Sequence, residues 1–164
     1  MSENEPGLKA RPKVIALVDY ENIVREAAVR GELIDFEKLV KLCREFGDLV
    51  AGYLFVPKHN SYDPWLNTAH EHGFFTVAVP PPSNPERPKQ HENADTIMID
   101  LGCRFLALNV DIIVVVAYDG DFLTLANQVR DRGRQVILVT GEKVARALTH
   151  AVDLVYPLPA KTTL

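Results

Sequence analysis

Two uninterrupted apolar runs, Val14 to Val18 and Ile112 to Ala117, constrain this chain more than any other feature. A strand with one wet face alternates apolar and polar residues. A strand that is apolar at every position must be covered on both faces, as in a parallel sheet sandwiched by helices. Both runs are far shorter than the roughly 18 residues that argue for a membrane span. Both also stop at polar residues that such a strand would not need: Asp19, Tyr20, Glu21 and Asn22 after the first, Asp119 and Asp121 shortly after the second. A carboxylate beside an apolar interior is costly unless something compensates its charge.

The remaining segments fit the same architecture. Further strands are expected at Leu49–Val56, Phe74–Val79 and Gln135–Thr140, with a short one at Leu154–Tyr156. Helical spacing of apolar residues covers Asn22–Arg30, Asp35–Phe46, Asp63–His72, Ala94–Leu108, Phe122–Arg132 and Glu142–His150, with Gly47, Gly73 and Gly133 as stops. Pro80–Asn93 is rich in proline and nearly devoid of apolar residues, and a loop of that length inside a compact domain is usually functional or disordered. Strands alternating with helices predict an α/β fold, a three-layer parallel sheet of Rossmann-like type. Such sheets bind ligands beyond the carboxyl ends of their strands, where the strand order reverses. With the first and fourth strands as central neighbours, Asp19 and Asp119 face each other across that crevice.

The 164 residues suit one domain, expected over residues 13–158 between a tail at 1–12 and another at 159–164. With 47% hydrophobic and 24% charged residues the chain is ordinary for a globular protein. A net charge of −4 argues against a general basic coat for nucleic acid, though not against a local basic rim. Cys43 and Cys103 lack metal-ligand spacing and read as buried free thiols. The first dozen residues lack the apolar core of a signal peptide, so a cytoplasmic location with no membrane association is expected.

Each acid has a bland role open to it. Asp19, Asn22, Asp119 or Asp121 can cap the helix that follows. Asp95 can compensate the dipole of the helix it opens. Asp100 has Arg104 four residues on as an ion-pair partner and reads as structural. If the acids instead gather, the donors are all oxygen, and the fitting cofactor is Mg²⁺ or Mn²⁺.

The ordered stretches "VIALVDYENI", "ENADTIMIDL", "VVVAYDGDFLTLANQVRDRGRQVILVT" and "ALTHAVDLVYPL" resemble the NYN domain family, a PIN-like nuclease fold. The resemblance implies a parallel sheet of order 3-2-1-4-5 and Mg²⁺- or Mn²⁺-dependent RNA cleavage, with RNA as partner. It assigns metal binding to Asp19, Asp95, Asp119 and Asp121, and places Asn22 and Thr124 in the catalytic set. The chain departs from the family pattern where Ala117-Tyr118 replace a Ser-Gly pair and where Asn93 replaces a Lys. Tyr118 thereby becomes a candidate for base stacking, with Tyr62 and Trp65, although Trp65 reads more readily as packing.

RNA recognition needs positive charge near the acids. Lys58, His59, Arg87, Lys89, Lys143 and Arg146 all follow strand carboxyl ends and are the candidates, with ordinary surface charge as the alternative for each. Arg130, Arg132 and Arg134 precede the last full strand and fall at the opposite edge. The expected function is a metal-dependent endoribonuclease. The alternative is a catalytically silent NYN-fold domain that binds RNA or protein, and a homo-oligomer or protein partner stays open. A Toprim-like site would use Glu21 and leave Asp95 without a role. A dinucleotide fold would need glycines that Asp19 to Asn22 lack.

Overall fold

The computed structural model describes residues 10–57, 65–80, 86, 94–118, 122–141, 144 and 146–162, with the backbone alone at residue 95. In chain order the elements are β1 (Lys13–Asp19), α1 (Tyr20–Val29), β2 (Glu32–Ile34), α2 (Phe36–Phe46), β3 (Asp48–Pro57), α3 (Trp65–Glu71) and β4 (Phe74–Val79). They continue with α4 (Ala94–Leu106), β5 (Ile112–Val116), α5 (Leu123–Asp131), β6 (Gln135–Thr140), α6 (Arg146–Ala151), β7 (Leu154–Pro157) and β8 (Ala160–Thr162). One six-stranded sheet has the order β4-β3-β1-β5-β6-β7, and its neighbouring strands are all parallel.

The five strands expected from the apolar runs occupy the expected order, and the topology differs in detail around them. β7 extends the sheet as a sixth strand beyond β6. A small antiparallel pair, β2 with β8, forms a second sheet. Neither strand of that pair has a legible signal, because three residues are too few to show a period. β8 lies within the segment expected as a C-terminal tail. Its approach is fixed just upstream, where the Asp35 amide donates to the Pro159 carbonyl at 2.9 Å. At the other end, Arg11 pairs with Asp48 at 3.2 Å, within the segment expected as an N-terminal tail.

The sheet separates two apolar layers, which is why its central strands do not alternate. Val14, Ala16, Val18, Val114, Val116, Ile137 and Val139 face α1 and α2, meeting Ile23, Leu39, Val40 and Cys43. Ile15, Leu17, Ile113, Val115, Ala117, Val136 and Leu138 face α4, α5 and α6, meeting Met98, Leu125, Val129 and Leu148. α4 comes close to β1 and α5 because Gly102 offers no side chain. A Cβ there would lie 2.8 Å from Leu125 Cδ1 and 3.2 Å from Leu17 Cδ1. This close approach holds α4 against the face of the sheet that carries Leu17.

α1 begins at Tyr20, directly on the end of β1, rather than at Asn22 as expected. The turn between strand and helix is therefore a single step at Asp19. α2 starts one residue after the expected Asp35, which caps it instead: the Asp35 side chain accepts from the Lys38 amide at 3.1 Å. Gly73 and Gly133 adopt φ values of 85° and 69° just past α3 and α5, a conformation that favours glycine.

Cys43 and Cys103 are both free. Cys43 is fully buried as expected, and burial pushes its thiol up to about 12. Cys103 departs from the expectation of burial. It is half-exposed on α4, and its thiol donates to Gln128 Oε1 at 2.8 Å. A thiol reagent should therefore modify Cys103 in the native protein and reach Cys43 only after denaturation, a difference mass spectrometry reads directly. The folded Cys43 thiol keeps its proton above the pH of about 8.5 at which an unfolded one ionises. Its contribution to stability is thus present below that pH and is lost as pH rises towards 12.

Candidate functional site

β1 ends at Asp19, and the physics of that residue defines the site. It is 2% exposed although it is an acid. It stands at the N-cap position of α1, yet its side chain makes no capping bond to the helix amides. Capping, the bland role open to it, is not the role its carboxylate plays. Instead Asp19 Oδ2 accepts from Asn22 Nδ2 at 2.8 Å, so the two residues expected to work together are in direct contact. Asn22 is half-buried in the first turn of α1.

The register of the sheet places Asp19 in a defined row. Val18 pairs with Val116, which pairs with Val139. One step further along the strands stand Asp19, Ala117 and Thr140. Alternation puts all three side chains on the face covered by α4, α5 and α6. Phe55 completes the row on the far side of Asp19. The ladder continues to this level, since the Ala117 amide donates to the Val139 carbonyl at 3.2 Å.

Asp95 is the second residue of α4, which covers this same face. Its side chain, and the whole of Asp119 and Asp121, lie outside the described residues. Thr124 is exposed in the first turn of α5. Of the four expected metal-binding carboxylates, only that of Asp19 is described. Among the described residues no three His, Cys, Asp or Glu side chains come together. Of the basic candidates, Arg146 is exposed as the first residue of α6. Lys58, His59, Arg87, Lys89 and Lys143 lie outside the described residues, as does Tyr62.

Other expectations resolve clearly. Asp100 pairs with Arg104 at 3.1 Å on the exposed surface of α4. Arg130 pairs with Asp153 at 3.7 Å and Arg134 with Asp111 at 3.0 Å, at the amino ends of the strands and away from Asp19. Glu21 pairs along α1 with Arg25 at 2.8 Å, which draws it away from the role a Toprim-like site would give it. Trp65 packs half-buried against the core, as its packing role requires.

Tyr118 corrects one expectation. It offers no stacking surface, because it is buried to 9% exposure. Its ring fills the space above Gly141, where an added Cβ would run into it. Its hydroxyl accepts from Arg30 Nη2 at 3.3 Å, and Arg30 also pairs with Glu32 at 3.3 Å. The hydrogen bond to Tyr118 raises the Arg30 guanidinium above its ordinary value. Arg30, Glu32 and Gly141 are thus parts of the site's surroundings that sequence reasoning missed. The one available signal was that a bulky residue in place of glycine at 118 demands a compensating glycine elsewhere. A cavity of about 530 Å³ opens beside them, reaching Thr140 and Tyr156.

The parallel six-stranded sheet flanked by helices, with a buried acid and its amide partner at the carboxyl end of its central strand, defines an α/β domain of doubly covered parallel-sheet type. The sequence pattern of the NYN domain matches residues 13–159, nearly the whole chain, and the chain belongs to that family, which includes nucleases. A protein of Methanocaldococcus jannaschii, described as uncharacterized, is 25% identical over 150 residues, covering 90% of this chain and 55% of the relative. The chain therefore spans about half the length of the curated relative it matches. The crystal structure of a Vibrio parahaemolyticus protein of unknown function has the same fold, with a TM-score of 0.73 at 19% identity over 96% of each chain. The C-terminal domain of a Pyrococcus furiosus hydrogenase is a more distant likeness, with a TM-score of 0.50 at 16% identity over 86% of this chain and all of that domain. Among the described residues no helix is long and apolar enough to cross a membrane.

The fit of Tyr118 over Gly141 can be tested by a double-mutant cycle. Gly141→Ala should destabilise the protein by about 1–3 kcal/mol through overpacking. In a Tyr118→Ala background the same change should cost much less, because the ring it strikes is gone. Urea denaturation of the four proteins measures the coupling, and equal costs in both backgrounds would contradict the contact.

Proposed function

We propose that this chain is a metal-dependent endoribonuclease whose site lies at the carboxyl ends of β1 and β5. The observation that carries this reading is the buried Asp19 carboxylate, which makes no helix-capping bond and is held by Asn22. The donor chemistry fits a hard divalent cation: Asp19 offers carboxylate oxygen, and the sequence adds Asp95, Asp119 and Asp121 in segments that begin or end on the same edge of the sheet. Mg²⁺ or Mn²⁺ bound by these four acids would supply Lewis acidity at the phosphodiester and acidify an attacking water.

The chain's own residues have separate tasks in this scheme. Asn22 donates to one oxygen of Asp19 and so fixes the rotamer of the carboxylate. Thr124, exposed at the start of α5, has a hydroxyl free to approach a phosphate oxygen at a helix N-terminus, where anions are favoured. Arg146, with Lys58, Arg87, Lys89 and Lys143, which follow strand carboxyl ends in the sequence, would neutralise backbone phosphates along the strand of RNA. Arg30 and Tyr118 engage each other and would serve the site only by bracing the chain immediately before Asp119. Because all acids are retained, hydrolysis is favoured over a silent RNA-binding or protein-interaction domain. The burial of Tyr118 at the position preceding Asp119 is the observation that speaks for the silent alternative.

A panel of RNAs incubated with Mn²⁺, Mg²⁺ or EDTA tests this. Wild type should cleave with either metal and stop with EDTA. Asp119→Asn should lose more than about 100-fold in rate, since a ligand matters more than the outer partners that typically cost 10–100-fold. RNA affinity, read by fluorescence anisotropy, should survive or tighten slightly because a negative charge is removed. Cleavage that persists unchanged in Asp119→Asn would contradict the reading. Binding without cleavage in wild type would establish the silent alternative.

A further inference from the structure

Asp19 and Thr140 are the two buried side chains of polar or charged type among the described residues. Asp19 is explained by the site proposed above, and Thr140 is not. Its residue is 3% exposed, and its Oγ1 is a buried hydroxyl with no hydrogen-bond partner among the described residues. A hydroxyl desolvated without a partner is destabilising, and a valine of the same shape would avoid the penalty. β6 is otherwise built from such residues, with Val136, Ile137, Leu138 and Val139 preceding Thr140.

The place of this hydroxyl is specific. The register Val18–Val116–Val139 carries on to Asp19–Ala117–Thr140, so the carboxylate and the hydroxyl occupy one row on one face, separated by the small methyl of Ala117. Ala117 presents no polar group of its own between them. Adjacent strands are about 4.8 Å apart, so the backbones of Asp19 and Thr140 are separated by about 10 Å. That spacing is too long for a direct bond and leaves room for an ion with a bound water between the two side chains. The first turns of α4 and α5 lie over the same face, which makes this the enclosed side of the crevice.

We propose that Thr140 is a positioning residue of the cation site, its hydroxyl hydrogen-bonding the hydration shell of the divalent ion that Asp19 holds. This rests on the metal-dependent reading above. A threonine hydroxyl both donates and accepts, so it can accept a hydrogen from a water bound to the ion. It would thereby orient the water without ligating the metal.

Three variants of the full chain, Thr140→Val, Thr140→Ser and Asp19→Asn, are compared with wild type. Mn²⁺ affinity is measured without RNA by electron paramagnetic resonance, and stability without metal by urea denaturation. Thr140→Val should bind Mn²⁺ about 10-fold more weakly, the usual effect of losing an outer partner. Thr140→Ser should stay within about twofold of wild type because the hydroxyl is kept. Metal-free Thr140→Val should be at least as stable as wild type. Wild-type Mn²⁺ affinity in Thr140→Val, with weakened binding in Asp19→Asn, would overturn the role of Thr140 and leave the carboxylate site standing. Loss of stability in Thr140→Val, recovered in Thr140→Ser with no change in Mn²⁺ affinity, would show a structural hydroxyl and also overturn it. Absence of Mn²⁺ binding by wild type would overturn both proposals.

Discussion

A carboxylate placed at the end of a strand that is covered on both faces has no easy way to keep its charge. Asp19 is in that position: the residues before it fill the apolar layers on either side of the sheet, and the helix after it starts without a step into solvent. The backbone leaves it little choice of direction, since alternation along β1 aims it at the face under α4 and α5. Everything that characterises the candidate site follows from this placement. Asn22 holds one oxygen, α4 is brought close by the missing side chain of Gly102, and the row through Ala117 ends in a second buried polar group at Thr140. On the function proposed above, a cation compensates the charge held there.

The two faces of the sheet divide the work at its carboxyl end. The face under α4, α5 and α6 carries Asp19 and Thr140. The other carries Tyr118, which is turned away from solvent, packed over Gly141 and tied to Arg30. The departure from the family pattern at Ala117-Tyr118 is therefore accommodated by two local arrangements. The bulk of Tyr118 is absorbed by a glycine at the end of β6, and its hydroxyl by an arginine at the end of α1. The residue next to Asp119 is braced by packing rather than left as a free aromatic.

Much of this was legible in the sequence because burial on two faces leaves an unmistakable pattern. The runs at Val14 and Ile112 and the strands at Phe74 and Gln135 could be read nearly to the residue. The ion pair of Asp100 with Arg104 followed from spacing alone. What escaped reading has physical reasons. β2 and β8 are short and gain their pairing from residues far apart in the chain, so no local period announces them. The orientation of Tyr118 depends on Gly141 and Arg30, neither of which is near it in sequence. Thr140 looked like the polar end of a strand. Only the register across β1, β5 and β6 shows that it shares a row with Asp19.

The central claim is that a hard cation sits against the buried carboxylate of Asp19. Crystals of the protein grown or soaked with Mn²⁺, recorded with anomalous scattering at the manganese edge, test this without reference to activity. An anomalous peak is expected at the carboxyl ends of β1 and β5, within about 2.2 Å of an Asp19 oxygen, as for a hard ion on oxygen ligands. A peak only elsewhere on the surface, or none at saturating Mn²⁺, would contradict it.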